Sequence, residues 1–226
     1  MKQGMLAILP LAAGAAVYGF AFGLLAAQTG FPWWGVGLMS AVVNAGSSQI
    51  VAVEQFANSS AVISAALAGA ALNLRYIGIV ASLSGILSGL PLHMKLLAIQ
   101  ITGDENWALT MAERARSPDV GADFLFGSGL VMITVWIGST SFGAVVGSAL
   151  PDLERFGLGF AFTAAFIAMA RGLWRGQRDM LPWIVAFGVA VTAVVLGAPK
   201  AYAIIAGALA GLPVSAAIRQ TGTVTR

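Results

Sequence analysis

Residues 35–57 read GVGLMSAVVNAGSSQIVAVEQFA, an apolar run interrupted at its middle by Asn44-Ala45-Gly46-Ser47-Ser48-Gln49. The stretch is long enough to cross a bilayer as a helix, which takes about 20 residues. Each polar group left unsatisfied in hydrocarbon costs several kcal/mol, however. Lipid contact therefore does not account for a centre this rich in small and polar residues. Two arrangements do. One is interhelical hydrogen bonding. The other is a broken helix lining a cavity, where free N–H groups at the restart of the helix face a carboxylate.

The sequence on either side sets the class. The chain has 226 residues, 58% hydrophobic and 9% charged, with a mean hydropathy of +0.87. Soluble domains carry about 25% charge, and so apolar a chain has too little polar surface for a soluble exterior. The pattern predicts an all-α integral membrane protein of about seven transmembrane helices, with residues 1–226 forming a single transmembrane domain. Apolar segments fall at 5–28, 35–57, 61–89, 124–150, 157–173, 181–196 and 201–217. The first is too long for a signal-peptide core and further spans follow it. The polar stretch 91–123 reads as a cytoplasmic loop containing a short amphipathic helix at the membrane surface, with Asp104 and Glu105 in its first turn. Acids there complement the helix dipole. Phe20-Ala21-Phe22-Gly23 resembles Thr140-Ser141-Phe142-Gly143, and Gly35-Val36-Gly37-Leu38 resembles Gly157-Leu158-Gly159-Phe160. That offset of about 120 residues suggests a 3+3 inverted repeat with broken helices, residues 5–90 against 124–217.

Basic residues report orientation in such a chain. With seven spans, Lys2, Arg155 and Lys200 share the N-terminal side. Lys95, Arg114, Arg116, Arg171, Arg175, Arg178, Arg219 and Arg226 share the other. The count predicts an outside N-terminus and a cytoplasmic C-terminus. The basic residues are too few and scattered for nucleic acid. No cysteine is present and His93 stands alone, so neither a metal nor a cofactor site is expected.

The residues that carry chemistry are the polar ones inside spans. Arg75, in Asn73-Leu74-Arg75-Tyr76, sits near the middle of its segment, where an arginine costs about 2.5–3.5 kcal/mol on insertion scales. It needs a partner or water. Gly46 and Ser47 lie at similar depth on the preceding segment. The two clusters together form a candidate midplane site of a secondary transporter, comprising Gly46, Ser47, Ser48, Gln49, Asn73 and Arg75. Phe20 and Phe22 are candidates to surround an aliphatic side chain. Glu54, Tyr76, Asp104 and Glu105 are candidates for coupling or gating. Gly46-Ser47-Ser48 does not read as a serine nucleophile, because no histidine or lysine lies within a span to serve as base. A Walker-type loop is absent, so the chain reads as a non-enzyme.

Met39-Ser40 followed by Ala45-Gly46-Ser47-Ser48-Gln49 resembles the serine–small–Gln segment of the AzlC-type branched-chain amino acid permeases. Asn73-Leu74-Arg75 resembles that family's Asn-Leu-Arg-His segment, and Asp104-Glu105 its acidic pair after the third span. The resemblance covers roughly residues 10–212. Tyr76 stands where the family usually has histidine, and Gly103 where threonine is common. The resemblance implies export of valine, leucine and isoleucine across the bacterial inner membrane. It also implies a small AzlD-type membrane subunit as partner. Other readings left open are a pathway for another small solute or ion, and a non-transporting structural subunit.

Overall fold

The computed structural model describes residues 1–59, 61–150, 167, 174, 176–198 and 200–221. The helices are α1 (Lys2–Gln28), α2 (Trp33–Val43), α3 (Gly46–Ser59), α4 (Val62–Asn73), α5 (Arg75–Ser82), α6 (Ser84–Leu87), α7 (Leu92–Gln100), α8 (Asp104–Arg116) and α9 (Ala122–Ala149). A 3-10 turn at Gln177–Asp179 then leads into α10 (Met180–Val195), and α11 is Lys200–Thr221. Among the described residues, Lys2–Gln28, Val62–Ser82, Ala122–Ala149 and Gln177–Val195 are long and apolar enough to cross a membrane. Their outer faces carry large exposed apolar side chains such as Leu6, Val17, Ile63, Leu67 and Phe187, as lipid contact demands. The expected fifth span, 157–173, lies outside the described residues but for Ile167.

The centre of the bundle is a parallel pair, α1 and α9. Lipid tails give no hydrophobic drive for helices to associate, so close backbone approach at small residues does the work. A Cβ on Gly4 would strike the Phe124 carbonyl, one on Gly23 the Thr140 carbonyl, and one on Gly143 the Phe20 carbonyl. Contacts thus advance in the same direction along both helices. Gly143→Val is expected to destabilise by about 3 kcal/mol, since backbone must move. Gly138→Val, where a Cβ meets nothing within 4 Å, should be near neutral. Thermal unfolding in detergent checks the pair.

Residues 35–57 do not form one span, contrary to the sequence reading. The chain breaks at Asn44, which takes the left-handed conformation (φ 41°, ψ 41°) and ends α2. Asparagine tolerates that region better than most residues. α3 then turns back. Gln49 Nε2 donates to Ser40 Oγ across the break (3.1 Å), and Phe56 packs edge-on against Phe31 at the end where α2 began, with centroids 5.4 Å apart. α2 and α3 therefore form a hairpin that enters the bundle and returns to the same end.

A second hairpin enters from the opposite end. α7 starts after Pro91 beside Leu125 and Phe126, at the N-terminal end of α9, and runs to the bundle centre. Ile101, Thr102 and Gly103 form its buried tip, and α8 leads back out, where Arg114 Nη1 donates to the Val120 carbonyl. The helix read at 104–116 is present. Its first turn lies inside the bundle rather than on a surface loop, because Asp104 is drawn to Arg75 (2.8 Å) and the Asn106 amide caps Gly103 N–H (2.6 Å). The two tips touch: Gln100 Nε2 donates to the carbonyls of Ala41 (2.8 Å) and Val42 (3.0 Å).

Of the two likenesses about 120 residues apart, Phe20–Gly23 with Thr140–Gly143 joins helices that run parallel and touch, so it does not relate inverted copies, while Gly157–Phe160 lies outside the described residues. Inversion occurs at half the distance. Gly30-Phe31-Pro32 and Gly89-Leu90-Pro91 each close one helix and open one hairpin, with glycine φ of 86° and 81° and the proline at the N-cap. Only glycine adopts such angles without strain. The charge count changes too. Met1 and Gln3 share a pocket with Ser117, Asp119 and Asp123, so Lys2, Arg114 and Arg116 lie at one end of the bundle rather than at opposite ends.

Candidate functional site

Where the hairpin tips meet, a cavity of about 60 Å³ opens. It is lined by Asn44, Gly46 and Ser47 from the first hairpin, and by Gly103, Asp104 and Glu105 from the second. Tyr18 of α1, Tyr76 of α5 and Met132 and Trp136 of α9 complete the wall. Tyr18, Arg75 and Trp136 each lie near the middle of a long apolar span, so the cavity sits at mid-depth. Its size suits a few waters in this conformation.

Two helix starts converge on it. Gly46, Ser47 and Ser48 form the first turn of α3, and Asp104, Glu105 and Asn106 that of α8. First-turn N–H groups lack intrahelical acceptors and carry the positive end of the dipole. At α8 the two acids already offset that field. At α3 the side chains are neutral, so this start remains open to an anionic group.

Arg75 ties the tips together. Nη1 donates to Ser47 Oγ on one hairpin (2.9 Å), and Nη2 pairs with Asp104 Oδ2 on the other (2.8 Å). Its Nε is buried without a hydrogen-bond partner among the described residues. The guanidinium thus stands behind the cavity wall rather than on it. Beside it, Tyr76 donates from its hydroxyl to the Asn44 carbonyl (3.2 Å), using an acceptor freed by the helix break.

Of the residues singled out in the sequence, Gly46, Ser47, Tyr76, Asp104 and Glu105 line the cavity, with Arg75 directly behind them. The others stand apart. Ser48 Oγ donates to Asn73 Oδ1 (2.7 Å), joining α3 to α4. Gln49 is fully buried, donating to Ser40 and accepting from Trp136 Nε1 (2.9 Å), while Thr140 donates to Ser40 (2.9 Å). Gln49→Leu would leave Trp136 Nε1 without its acceptor and remove one of the two donors to Ser40, and is expected to cost about 1–3 kcal/mol in thermal stability. Glu54 lies two turns past Ser47 along α3, away from the cavity. Phe20 packs on Phe142 and Phe22 stacks on Trp136, so neither surrounds the cavity. Tyr18, Met132 and Trp136 supply the wall instead. Their signal in the sequence was slight, although Tyr18 and Tyr76 occupy matching places before the two hairpins.

The acids are unequal. Asp104 is neutralised by Arg75, whereas Glu105 has no ion-pair partner among the described residues. Ser47 accepts from Arg75 and Ser48 donates to Asn73, and neither meets a general base among the described residues. Among the described residues no cluster of three or more metal-ligating side chains occurs.

Comparison with known proteins agrees with this setting. The family described as AzlC protein matches residues 10–150. The chain is 26% identical over 184 residues to a protein of Helicobacter pylori (strain J99 / ATCC 700824) named "Uncharacterized membrane protein", covering 81% of this chain and 78% of that one. No solved structure matches.

Proposed function

Because the chain belongs to the AzlC family, we propose that it is a secondary transporter of the bacterial inner membrane that exports branched-chain amino acids. The observation that carries this reading is the cavity between two opposed hairpins, with a neutral helix start on one side and, on the other, a carboxylate that has no ion-pair partner among the described residues. A zwitterion needs that polarity. Its carboxylate fits the N–H groups of Gly46 and Ser47, in the positive field of Arg75. Its ammonium fits Glu105. The walls of Tyr18, Met132 and Trp136 suit an aliphatic side chain, provided the hairpins part to enlarge the space. An inorganic anion suits the cavity less well, since Asp104 already neutralises Arg75.

The purified protein in liposomes tests this with labelled valine, lysine and sulfate. Efflux of valine well above the other two is expected. Equal rates for all three, or none for valine with the partner present, would sink the reading. The partner, an AzlD-type small membrane subunit, comes from the family resemblance. Valine efflux with and without its co-expression measures the dependence.

Orientation forms part of the proposal. Lys2, Arg114 and Arg116 share an end, and the opposite loops between α1 and α4 hold no lysine or arginine. By the positive-inside rule the N-terminus lies in the cytoplasm. A reporter fused at the N-terminus that is active only after export would contradict this.

A further inference from the structure

We infer that Glu105 is the residue at which a proton and the substrate ammonium exchange, so that each outward amino acid is coupled to one inward proton. This rests on the transport reading above and names the coupling residue within it. Glu105 lines the cavity at the tip of the second hairpin, the element that enters from the Met1 end. Its neighbour Asp104 is held by Arg75, and that pair is closed to other cations. Glu105 has no such cation among the described residues. A carboxylate on the wall of a mid-depth cavity, with no ion-pair partner among the described residues, is best satisfied by a positive charge or a proton. In an empty transporter that charge is a proton. In a loaded one it is the ammonium of the substrate.

The groups facing Glu105 fit this exchange. α1 contributes Tyr18, α5 contributes Arg75 and Tyr76, and α8 itself contributes Asp104. From α9 come Met132 and Trp136, and from the first hairpin Asn44 and Ser47, none of which titrates near neutrality. Arg75 and Asp104 cancel, so the ionisation of Glu105 sets the net charge of the cavity. One carboxylate cannot hold a proton and an ammonium together. Binding of the amine releases the proton, and return of the proton releases the amine. Charge balances at each step, and no other reactant is required. Competition for a single site is sufficient for antiport, provided the empty, charged form of the cavity does not reorient.

Wild type and Glu105→Gln are compared in proteoliposomes by two assays. One is exchange of labelled valine for valine with no pH gradient. The other is proton movement evoked by valine, followed with a trapped pH dye. The glutamine keeps a carbonyl for the ammonium but cannot lose a proton at accessible pH. The expected result is exchange retained, with KM raised about tenfold, and valine-evoked proton movement abolished. Proton movement that survives in Glu105→Gln overturns the inference. Failure of wild type to exchange valine at all strikes the transport reading instead, so the two failures are distinct. If Glu105→Gln does not yield a monodisperse protein, proton release on binding valine to wild type, measured in buffers of different ionisation enthalpy, decides. About one proton per valine below neutral pH supports the assignment, and none overturns it.

Discussion

Arg75→Ala is expected to reduce valine efflux about 30- to 150-fold while leaving the protein inserted and monodisperse. The side chain donates to Ser47 on one hairpin and pairs with Asp104 on the other. Hydrogen bonds to a charged group contribute about 1.5–3 kcal/mol each. The side chain is 34% exposed, which argues against counting both in full. A net loss of roughly 2–3 kcal/mol gives the stated range in rate. The loss falls on the geometry of the cavity, because alanine frees both tips and leaves Asp104 beside Glu105 without a counter-charge. Arg75→Lys separates charge from geometry. A lysine keeps the charge but lacks the planar fork that reaches both hairpins at once. It should recover only part of the rate. Full activity in Arg75→Ala at normal expression would remove this residue from the site.

Gly46→Leu should abolish valine transport, and Gly46→Ala should weaken it by more than tenfold. A Cβ on Gly46 would stand 2.7 Å from the rings of both Tyr18 and Trp136. Trp136 is held by its hydrogen bond to Gln49 and by stacking on Phe22, so it cannot yield cheaply. A methyl there takes up part of a space of only about 60 Å³ and moves the N–H groups of the α3 start. Overpacking of this kind typically costs about 1–3 kcal/mol. The effect should appear as raised KM and lowered rate, together with a lowered melting temperature. Unchanged kinetics in Gly46→Ala would mean that substrate passes elsewhere.

Much of this was readable from residues alone, for a physical reason. Arginine and a run of small polar residues at mid-depth are costly, so they mark places where water or a partner must be. Ser47 and Arg75 do meet, at 2.9 Å. The path of the backbone was not readable in the same way. Residues 35–57 have the length and hydropathy of a span whether they cross the bundle or fold back at Asn44. The difference lies in one left-handed residue and in contacts distant along the chain, such as Phe31 with Phe56. Taking that hairpin as a span put Lys2 and Arg114 at opposite ends, whereas Met1 and Gln3 share a pocket with Ser117 and Asp119. It also hid the inverted pair. Gly30-Phe31-Pro32 and Gly89-Leu90-Pro91 are short motifs, and their likeness becomes meaningful once both are seen to open a hairpin. Gln49 and Asn73 read as ligands because they are polar and deep. Hydrogen-bonded neighbours satisfy them instead, an outcome that spacing along the sequence does not reveal. Tyr18 and Trp136 were missed because an aromatic ring in an apolar span looks the same facing lipid or facing a cavity.

The natural chain contains no cysteine, so a single introduced thiol reports on one place. Ala15 lines the cavity, and Ala15→Cys adds only a sulfur to its wall. In proteoliposomes that transport valine, modification of Ala15→Cys by a water-soluble thiol reagent is expected to slow several-fold as valine is raised through its KM. Ser117→Cys, exposed in the loop before α9, should react at the same rate throughout. Modification of Ala15→Cys that is indifferent to valine at saturating concentration would contradict the assignment of this cavity as the transport site.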